Sequence, residues 1–510
     1  MTTSFRPAQT GFSRVFLIDG RARPDHRPEY QSNMKAGSIS QSFGDVEKIE
    51  VPSPDEYGKF EEVGVIRGAV ERATITLTGR YAADLKSEML RLARKNCAVD
   101  VHIDFGACTD PSDYNVFTKK IILEDAIITS YDTEDLGALA SDEAAKVDES
   151  IEVSAVDVYE IVPLTFTERA GDIITNELVD VTICGIPSCG DCDDESEGCD
   201  EIYAISIAAG GSPGTPADIV YSKDEGLNFY AHDIDTMGAT DVPDAVDCLG
   251  AYVFVISEDT NSIHYALRTD FAVDGSVDPD FTEVSTGFVT GGEPLAVHGT
   301  KSQVWIVGNG GYIYNSEDVT AGVTVQDAGV ATTDDLNDVH AFSEEYVVAV
   351  GNNGAIVKTT NGDTWTSVTG PSNIGAGEHL AKVWMKSKNV WIILTVDGRI
   401  YYTLDAGTIW TQDSFPGSGS GNTGSGTCYD IMFANDTVGY LAHTTAAGVG
   451  RILRTTNGGY DWVVLPEGVG SLPANDRVRA VAACRHDPDF VVGAGLGDNG
   501  TDGYLVIGTQ

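Results

Sequence analysis

At 510 residues, with 78 acidic and 32 basic side chains, the chain carries a formal net charge of −46. A chain of this length exceeds one ordinary domain, so we expect two or three folded units. The acidic balance disfavours a nucleic-acid reader and a membrane partner, because nucleic acids and anionic membranes repel such a surface. No segment approaches the roughly 18 apolar residues of a membrane span, and the first residues lack the apolar core of a signal peptide. We therefore expect synthesis in a cytoplasm and no export by the general secretory route.

The first 165 residues are predicted to form strands around a single helix. Residues 73–78 alternate apolar and polar side chains, as in a half-buried strand. Residues 84–96 place apolar side chains such as Leu85 and Met89 on one helical face, with basic residues in the last turns. Further strands are predicted at 99–105, 119–131 and 150–162.

Part of this pattern resembles the tail tube proteins of tailed phages, over residues 1–165. The resemblance implies a small β-sandwich with one flanking helix, which polymerises with itself as stacked rings around a DNA channel. It also implies that long arms, here residues 21–35 and 132–148, bind neighbouring subunits, and that other tail proteins are partners. Viral DNA would pass through an acidic lumen without sequence-specific binding. The resemblance is carried by residues 43–52, 65–68, 127–131, 136–139 and 154–159.

Four of the nine cysteines lie around a Gly- and acid-rich stretch that we assign to a linker over residues 171–200. Four thiolates brought together bind zinc tetrahedrally, whereas two disulfides would pin the linker in an extracellular particle. Free thiols are the third alternative. No cofactor is expected beyond a possible structural zinc or other cation. The four cysteines are Cys184, Cys189, Cys192 and Cys199.

Three further cysteines, Cys248, Cys428 and Cys484, fall in or beside apolar strands. Cysteine in such a position behaves as a small hydrophobic residue. We expect these three to be buried and structural.

Residues 201–510 contain an internal repeat of apolar strands, separated by Gly-rich turns. The third strands of the successive repeats lie about 44 to 52 residues apart, the period of a four-stranded propeller blade. Seven repeats predict a seven-bladed β-propeller, so the whole chain is expected to be mainly β. The third strands centre on Tyr221, Tyr265, Tyr314, Lys358, Tyr402, Arg454 and Leu505.

A turn with a shared pattern follows the third strand in four repeats. A Ser or Thr is followed by Asp or Asn, then by Gly, and finally by an aromatic residue. The Asp or Asn side chain bonds turn amides, the Gly takes a left-handed conformation, and the ring packs on the blade. The pattern resembles the Asp box of sialidase-like and Ycf48-like propellers, which implies a structural role at the periphery. The residues are Ser222, Asp224, Gly226 and Phe229; Asn361 and Trp365; Thr403, Asp405, Gly407 and Trp410; and Thr455, Asn457, Gly459 and Trp462.

The last repeat ends at residues 504–508 and is one strand short. A propeller removes this open edge by borrowing a strand from the other end of the domain. Residues 178–183, in the linker, are predicted to supply the closing strand.

Two histidines, His298 and His340, occupy matching positions in adjacent repeats and are expected to face each other near the central channel. A metal site is one interpretation; packed channel residues are the one we favour. Asp244, Asp338 and Asp430 stand just before the same register, where they would either hold a cation or be solvated.

Catalytic constellations are absent from the sequence. A sialidase needs three clustered arginines and a Tyr/Glu pair, and no Ser-His-Asp context, P-loop or HExxH motif occurs.

We predict no enzyme but a structural virion protein of the tail, assembled in the host cytoplasm. Its N-terminal domain (1–170) would be the tube subunit, and its C-terminal domain (201–510) a propeller that projects outward, toward host-surface glycans. The alternatives are a capsid-decoration or receptor- or glycan-binding tail protein, and an Asp-box glycan-active enzyme.

Overall fold

The computed structural model describes ten strands within residues 13–161 and most of residues 164–509. The predicted helix at 84–96, most of the arms, and Cys189, Cys192, Cys199 and Asn457 lie outside the described residues. Among the helices described, none is long and apolar enough to cross a membrane. The longest stretches outside the description are 1–12, 81–98, 106–118, 134–147, 185–200, 413–425 and 465–476.

The chain divides into two compact units, Met1–Pro163 and Leu164–Gln510. In the first unit, eight of the described strands form one sheet in the order β2-β1-β7-β8-β9-β6-β3, with β10 also paired to β8, while β4 and β5 pair as a separate hairpin. The strands are β1 Ser13–Ile18, β2 Tyr30–Ser32, β3 Lys35–Ser40, β4 Val46–Pro52, β5 Phe60–Arg67, β6 Ala73–Arg80, β7 Val99–Phe105, β8 Lys119–Thr133, β9 Asp148–Ala155 and β10 Asp157–Ile161.

The long strand β8 connects the two halves of this sheet. Its first part pairs with β7 and β10, and its second part pairs with β9. The predicted strand at 150–162 is therefore two strands, because β9 and β10 pair with different parts of β8. Buried residues alternate along the strands, as the two-residue period of a sheet with one covered face requires; examples are Val101, Ile103, Ile151 and Val153.

The second unit begins with β11 (Thr165–Glu168) and contains seven four-stranded antiparallel sheets among its described residues. Three short 3-10 helices lie between the strands in the part of this unit that the structure describes: Arg268–Asp270, Asn309–Gly311 and Asn352–Gly354. Sheet 1 is β12 Leu178–Cys184, β13 Glu201–Ser206, β14 Asp218–Ser222 and β15 Tyr230–Asp233; sheet 2 is β16 Ala245–Leu249, β17 Tyr252–Ser257, β18 Ser262–Leu267 and β19 Thr282–Val284; sheet 3 is β20 Pro294–Gly299, β21 Val304–Gly308, β22 Tyr312–Ser316 and β23 Thr324–Ala328; sheet 4 is β24 Leu336–Ala341, β25 Val347–Gly351, β26 Ile356–Thr359 and β27 Trp365–Ser367. Sheet 5 is β28 Leu380–Met385, β29 Trp391–Thr395, β30 Ile400–Thr403 and β31 Trp410–Gln412; sheet 6 is β32 Gly426–Phe433, β33 Gly439–Thr445, β34 Gly450–Thr455 and β35 Val463–Val464; sheet 7 is β36 Arg477–Ala483, β37 Val491–Leu496, β38 Gly503–Thr509 and β11.

The apolar core of the second unit lies between successive sheets. Five clusters join sheet 1 to 2, 2 to 3, 3 to 4, 4 to 5 and 5 to 6, and another joins sheet 7 to sheet 1. The second strands β21, β25 and β29 are buried along their whole length, because a neighbouring sheet covers each of their faces. First strands of successive sheets also contact each other. Antiparallel sheets stacked face to face about their first strands form a β-propeller.

Each predicted third strand is the third strand of its sheet. Residues 201–206 form the second strand of sheet 1, because residues 178–184 precede them as its first strand. The prediction that residues 178–183 complete the last sheet is therefore wrong. The strand that does so is β11, whose residues pair with β38 from Thr165–Thr509 to Glu168–Val506.

The end of a second strand leaves no room for a side chain where a first strand bulges. In sheet 4 the register shifts between Leu336 and Asp338, opposite Gly351. A Cβ atom on Gly351 would lie 2.0 Å from the backbone oxygen of Asp335, which cannot move without breaking the strand pairing.

We predict that Gly351→Ala lowers the free energy of unfolding by about 3 kcal/mol through this overpacking. Gly250→Ala is the matched control, because Gly250 has a φ of +57° but no atom within 4 Å of the added Cβ, so only about 1 kcal/mol of backbone strain is expected. Chemical denaturation of both variants measures the difference. Equal losses would contradict the packing of sheet 4 described here.

Candidate functional site: the channel and the upper face

The connections of an antiparallel four-stranded sheet fall at two ends. The turns between second and third strands, and the connections from a fourth strand to the next first strand, share one end, which we call the upper face. The turns between first and second strands and between third and fourth strands share the other end, the lower face. The four predicted Asp-box turns follow third strands and therefore lie on the lower face.

The turn after β30 shows the hydrogen bonds that its sequence predicts. Thr403 Oγ1 donates to Asp405 Oδ1 at 2.9 Å and accepts from the Gly407 amide at 3.0 Å. The amides of Thr408 and Ile409 donate to Asp405 Oδ1 at 3.0 and 2.8 Å. The Ile409 amide and the Thr403 hydroxyl lower the pKa of Asp405. In the same way, the Gly226 amide donates to the Ser222 hydroxyl oxygen and the Gly459 amide to that of Thr455.

The aromatic residues that end these turns differ in burial. Phe229, Trp365 and Trp462 are buried. Trp410, expected to be largely buried, is half-buried, and its indole N–H donates to the Thr369 carbonyl at 3.0 Å. The ring of Trp410 therefore covers the outer edge of the sheet without entering the core.

The described cysteines are arranged differently from the prediction. Cys184 is bonded to Cys248, with their Cα atoms 6.2 Å apart. Cys184 ends the first strand of sheet 1, and Cys248 lies in the neighbouring first strand of sheet 2, so the disulfide ties two sheets together. Cys184 therefore cannot belong to a four-thiolate zinc site, and Cys248 is not a free hydrophobic thiol. Cys484 is buried and also disulfide-bonded.

Cys428 matches the prediction. It is a free, buried cysteine, and burial raises the pKa of its thiol to about 12. Among the described residues, no group of three or more His, Cys, Asp or Glu side chains is placed to hold a metal ion.

Side chains of the first strands connect neighbouring sheets around the channel. In each case an oxygen or ring nitrogen accepts a backbone N–H from the first strand of the next sheet, so a strand edge that has no strand partner gains an acceptor. The pairs are Asp180 with Val246 (2.8 Å), Asp247 with Gly299 (2.7 Å), His298 with Ala341 (3.3 Å), Asp338 with Val383 (2.8 Å), His340 with Met385 (3.3 Å) and Asp430 with Val481 (2.9 Å).

His298 and His340 face each other, as predicted, with ring centroids 4.1 Å apart. The ring of Trp384 lies another 4.1 Å from that of His340. In both histidines Nδ1 accepts an amide proton, so this nitrogen is not presented to a metal ion. The two rings serve as packed residues in the channel.

A cation does lie beside the predicted channel carboxylates, and the chain itself supplies it. Lys382 Nζ is 3.3 Å from Asp338 Oδ1 and 3.5 Å from Asp430 Oδ1. Asp244 is not part of this group, because its Oδ2 accepts the Glu258 amide at 2.6 Å in the connection above. Asp180, Asp338, Asp430 and Lys382 form what we call the channel cluster.

Burial and mutual charge set the ionisation of the channel cluster. Burial raises the pKa of Asp180 to about 7 and that of Asp338 to about 6, although Lys382 opposes both shifts. Burial alone would lower the pKa of Lys382, but Asp338, Asp430 and Asp180 together raise it above its ordinary value. Lys382 is therefore a permanent positive charge, and Asp180 and Asp338 are the members of the cluster whose raised pKa values bring them near neutral pH.

Two members of the channel cluster, Asp180 and Lys382, were not predicted as site residues. Asp180 was assigned to a closing strand, and Lys382 was not singled out. The available signal was the shared position of Asp180, Asp338, Lys382 and Asp430, each of which follows a register shift in its first strand.

Comparisons with known proteins give structural likeness only. No family model and no curated protein matches the chain. Solved structures that are similar include Ycf48 from Cyanidioschyzon merolae (13% identity, TM-score 0.47, 68% of this chain and 98% of that chain) and Ycf48 bound to a D1 peptide (13%, 0.48, 69% and 96%). A third is the WD40 β-propeller domain of Doa1 (15%, 0.45, 68% and 96%).

We predict that Asp180→Asn changes how stability depends on pH. The folded pKa of Asp180 is raised above the ordinary value of 3.8, so the folded state binds this proton more tightly than the unfolded state. That contribution is complete below pH 3.8 and is lost as the pH rises through about 7. The difference in melting temperature, Asp180→Asn minus wild type, should therefore be several degrees more positive at pH 8 than at pH 5.

Thermal unfolding at the two pH values measures this double difference, in which the titration of groups outside the channel cluster cancels. Asp363→Asn, at an exposed position, is the control and should show no such difference. The burial of Asp180 is contradicted if both variants behave alike.

Proposed function

We propose that the chain is a structural virion protein: a tail tube subunit that stacks in rings around viral DNA and carries an outward-projecting propeller. In this proposal the first unit is a β-sandwich that polymerises with itself and contacts other tail proteins. The second unit is a complete seven-bladed propeller with Asp-box turns, which decorates the outside of the virion tail.

The observation that carries the proposal is the hairpin of β4 and β5. Its strands, Val46–Pro52 and Phe60–Arg67, pair only with each other among the described strands. A two-stranded hairpin is marginally stable alone. Such an arm gains stability by packing on another subunit, as the arms of a tube protein do.

The division of the chain into two units also supports the proposal. The unit Met1–Pro163 and the unit Leu164–Gln510 each have their own core. A propeller that closes on itself through β11 and β38 does not need the first unit to complete its sheets. The first unit is then available for polymerisation.

A catalytic role finds little support in the propeller. A hydrogen-bonded Tyr/Glu pair is present, with Tyr203 Oη 3.1 Å from Glu201 Oε2. Tyr203 is fully buried, however, and burial raises the pKa of its hydroxyl further above the ordinary value. Glu201 is bound by Lys223 and Arg268, each at 2.6 Å. The four residues serve as an internal polar contact between sheets 1 and 2, so a glycan-active enzyme stays the weaker alternative.

The second candidate is a capsid-decoration or receptor- or glycan-binding tail protein. The observation that favours it is the set of exposed apolar side chains on the propeller, of which Val330 is the most exposed at 87%. Exposed apolar side chains mark an interaction site where they adjoin one another.

We predict that residues 1–163 assemble into hollow tubes at high protein concentration, whereas residues 164–510 stay monomeric. The division between Pro163 and Leu164 keeps β11 with the propeller that it completes. Negative-stain microscopy of the two fragments and the intact chain is the test, and the intact chain should form tubes with peripheral knobs.

A second test uses the variant Ile49→Asp in the intact chain, which places a charge in the β4–β5 hairpin. It should abolish tubes without changing the melting of the propeller. If residues 1–163 remain monodisperse while residues 164–510 oligomerise, the tube role is wrong and the second candidate replaces it.

A further inference from the structure

The upper face of sheets 2 to 5 exposes four valines, one from each sheet. Val330 is 87% exposed, Val396 41%, Val242 38% and Val289 37%. Val242, Val289 and Val330 lie in connections from a fourth strand to the next first strand, and Val396 lies in the turn between β29 and β30. We call these valines, with the upper loops that carry them, the valine band.

Hydrogen bonds join the loops of the valine band between sheets 2 and 3. The Val242 amide donates to Asp259 Oδ2 at 2.8 Å, which fixes the connection to the neighbouring turn of sheet 2. In that turn Glu258 Oε1 accepts from Asn309 Nδ2 of sheet 3 at 2.7 Å. The Asn309 amide in turn donates to the Glu293 carbonyl at 2.9 Å, four residues beyond Val289.

The same connection continues across sheets 4 and 5. The Gly310 amide donates to Asp335 Oδ1 at 2.8 Å, and Asn352 Nδ2 donates to Asp335 Oδ2 at 3.1 Å. Asn352 Oδ1 lies 2.7 Å from His379 Nδ1, and the Val396 amide donates to the His379 carbonyl at 3.0 Å. The four valines therefore stand on one hydrogen-bonded surface, whose shape exists before any partner binds.

Carboxylates border the valine band along its length. The hydrogen bond from the Gly291 amide lowers the pKa of Glu293, which keeps this carboxylate charged. Among the described residues of these upper loops, the one Arg or Lys is Arg399, and its guanidinium is paired with Glu378 and lies 3.9 Å from Asp397. Exposed or half-buried carboxylates that border the band include Glu258, Asp259, Glu293, Asp334, Asp335 and Asp397.

We propose that the valine band docks a basic peptide segment with apolar side chains, presented by another protein. Apolar side chains of the segment would cover the valines, and its Lys or Arg residues would meet the bordering carboxylates. The charge of the band repels nucleic acid and anionic membranes. The valine band of a second copy would be repelled for the same reason, because it carries the same carboxylates. The inference concerns the propeller alone and does not depend on tube assembly.

Fluorescence anisotropy with the full chain tests the proposal, using three labelled twelve-residue peptides at 0.15 M salt. They are four repeats of Lys-Val-Ser, of Lys-Ser-Ser and of Glu-Val-Ser. We expect the Lys-Val-Ser peptide to bind, the Lys-Ser-Ser peptide to bind at least tenfold more weakly, and the Glu-Val-Ser peptide not to bind.

The decisive variant is Val330→Asp, which removes an apolar contact and adds a negative charge. Docking on the valine band predicts at least a tenfold loss of affinity for the Lys-Val-Ser peptide. Attraction of a polycation to any acidic surface predicts equal or tighter binding, which would overturn the proposal. Ile409→Asp is the matched control, because Ile409 is 67% exposed on the lower face; its affinity should equal that of the wild type.

Two further results would also overturn the proposal. One is the absence of Lys-Val-Ser binding by a wild-type chain that melts cooperatively. The other is concentration-dependent self-association in sedimentation velocity that Val330→Asp abolishes, since the partner would then be a second copy. Because Val330 is largely exposed, an unchanged melting temperature of Val330→Asp shows that lost binding does not reflect lost folding.

Discussion

The propeller depends on the pairing of β11, which begins the second unit, with β38, which ends it. β11 and β38 come from opposite ends of the second unit and lie side by side in sheet 7. Without β11, the edge of β38 would present unpaired N–H and C=O groups to solvent, a template for association with other chains. Phe166 is buried against Gly508 in this pairing. β11 precedes the first strand of sheet 1 along the chain, so the pairing links sheet 7 to sheet 1, and an apolar cluster lies between those two sheets.

Around the channel, side chains supply hydrogen-bond partners to the unpaired edges of the first strands. Their inner edges have no strand partner, so aspartates and histidines of one sheet accept amides of the next. Lys382 balances the charge that the aspartates bring. The polar groups of the channel cluster are thus largely engaged within the protein, whereas the upper face keeps carboxylates and valines exposed. This difference is why we place partner binding on the upper face and not in the channel.

The sequence predicted features that depend on local pattern and missed those that depend on distant pairing. Third strands were predictable because apolar runs recur at a nearly constant spacing, and the bonds of Asp405 were predictable because they reach turn amides only three and four positions along the chain. The closing strand was not, because residues 165–168 carry one large apolar side chain and no local signal for pairing with β38. The Cys184–Cys248 bond was likewise missed, since these cysteines become neighbours only when sheets 1 and 2 stack. The role of Lys382 was missed because its contacts with Asp338 and Asp430 form only when sheets 4, 5 and 6 meet around the channel.

The pairing of β11 with β38 is tested most directly by comparing residues 164–510 with residues 169–510, which lack that strand. Thermal unfolding and sedimentation velocity are the measurements. The account predicts that residues 164–510 melt cooperatively as a monomer, whereas residues 169–510 melt several degrees lower and self-associate through the exposed edge of β38. If the two fragments have the same melting temperature and both remain monomeric, the propeller does not depend on this strand, and the account is contradicted.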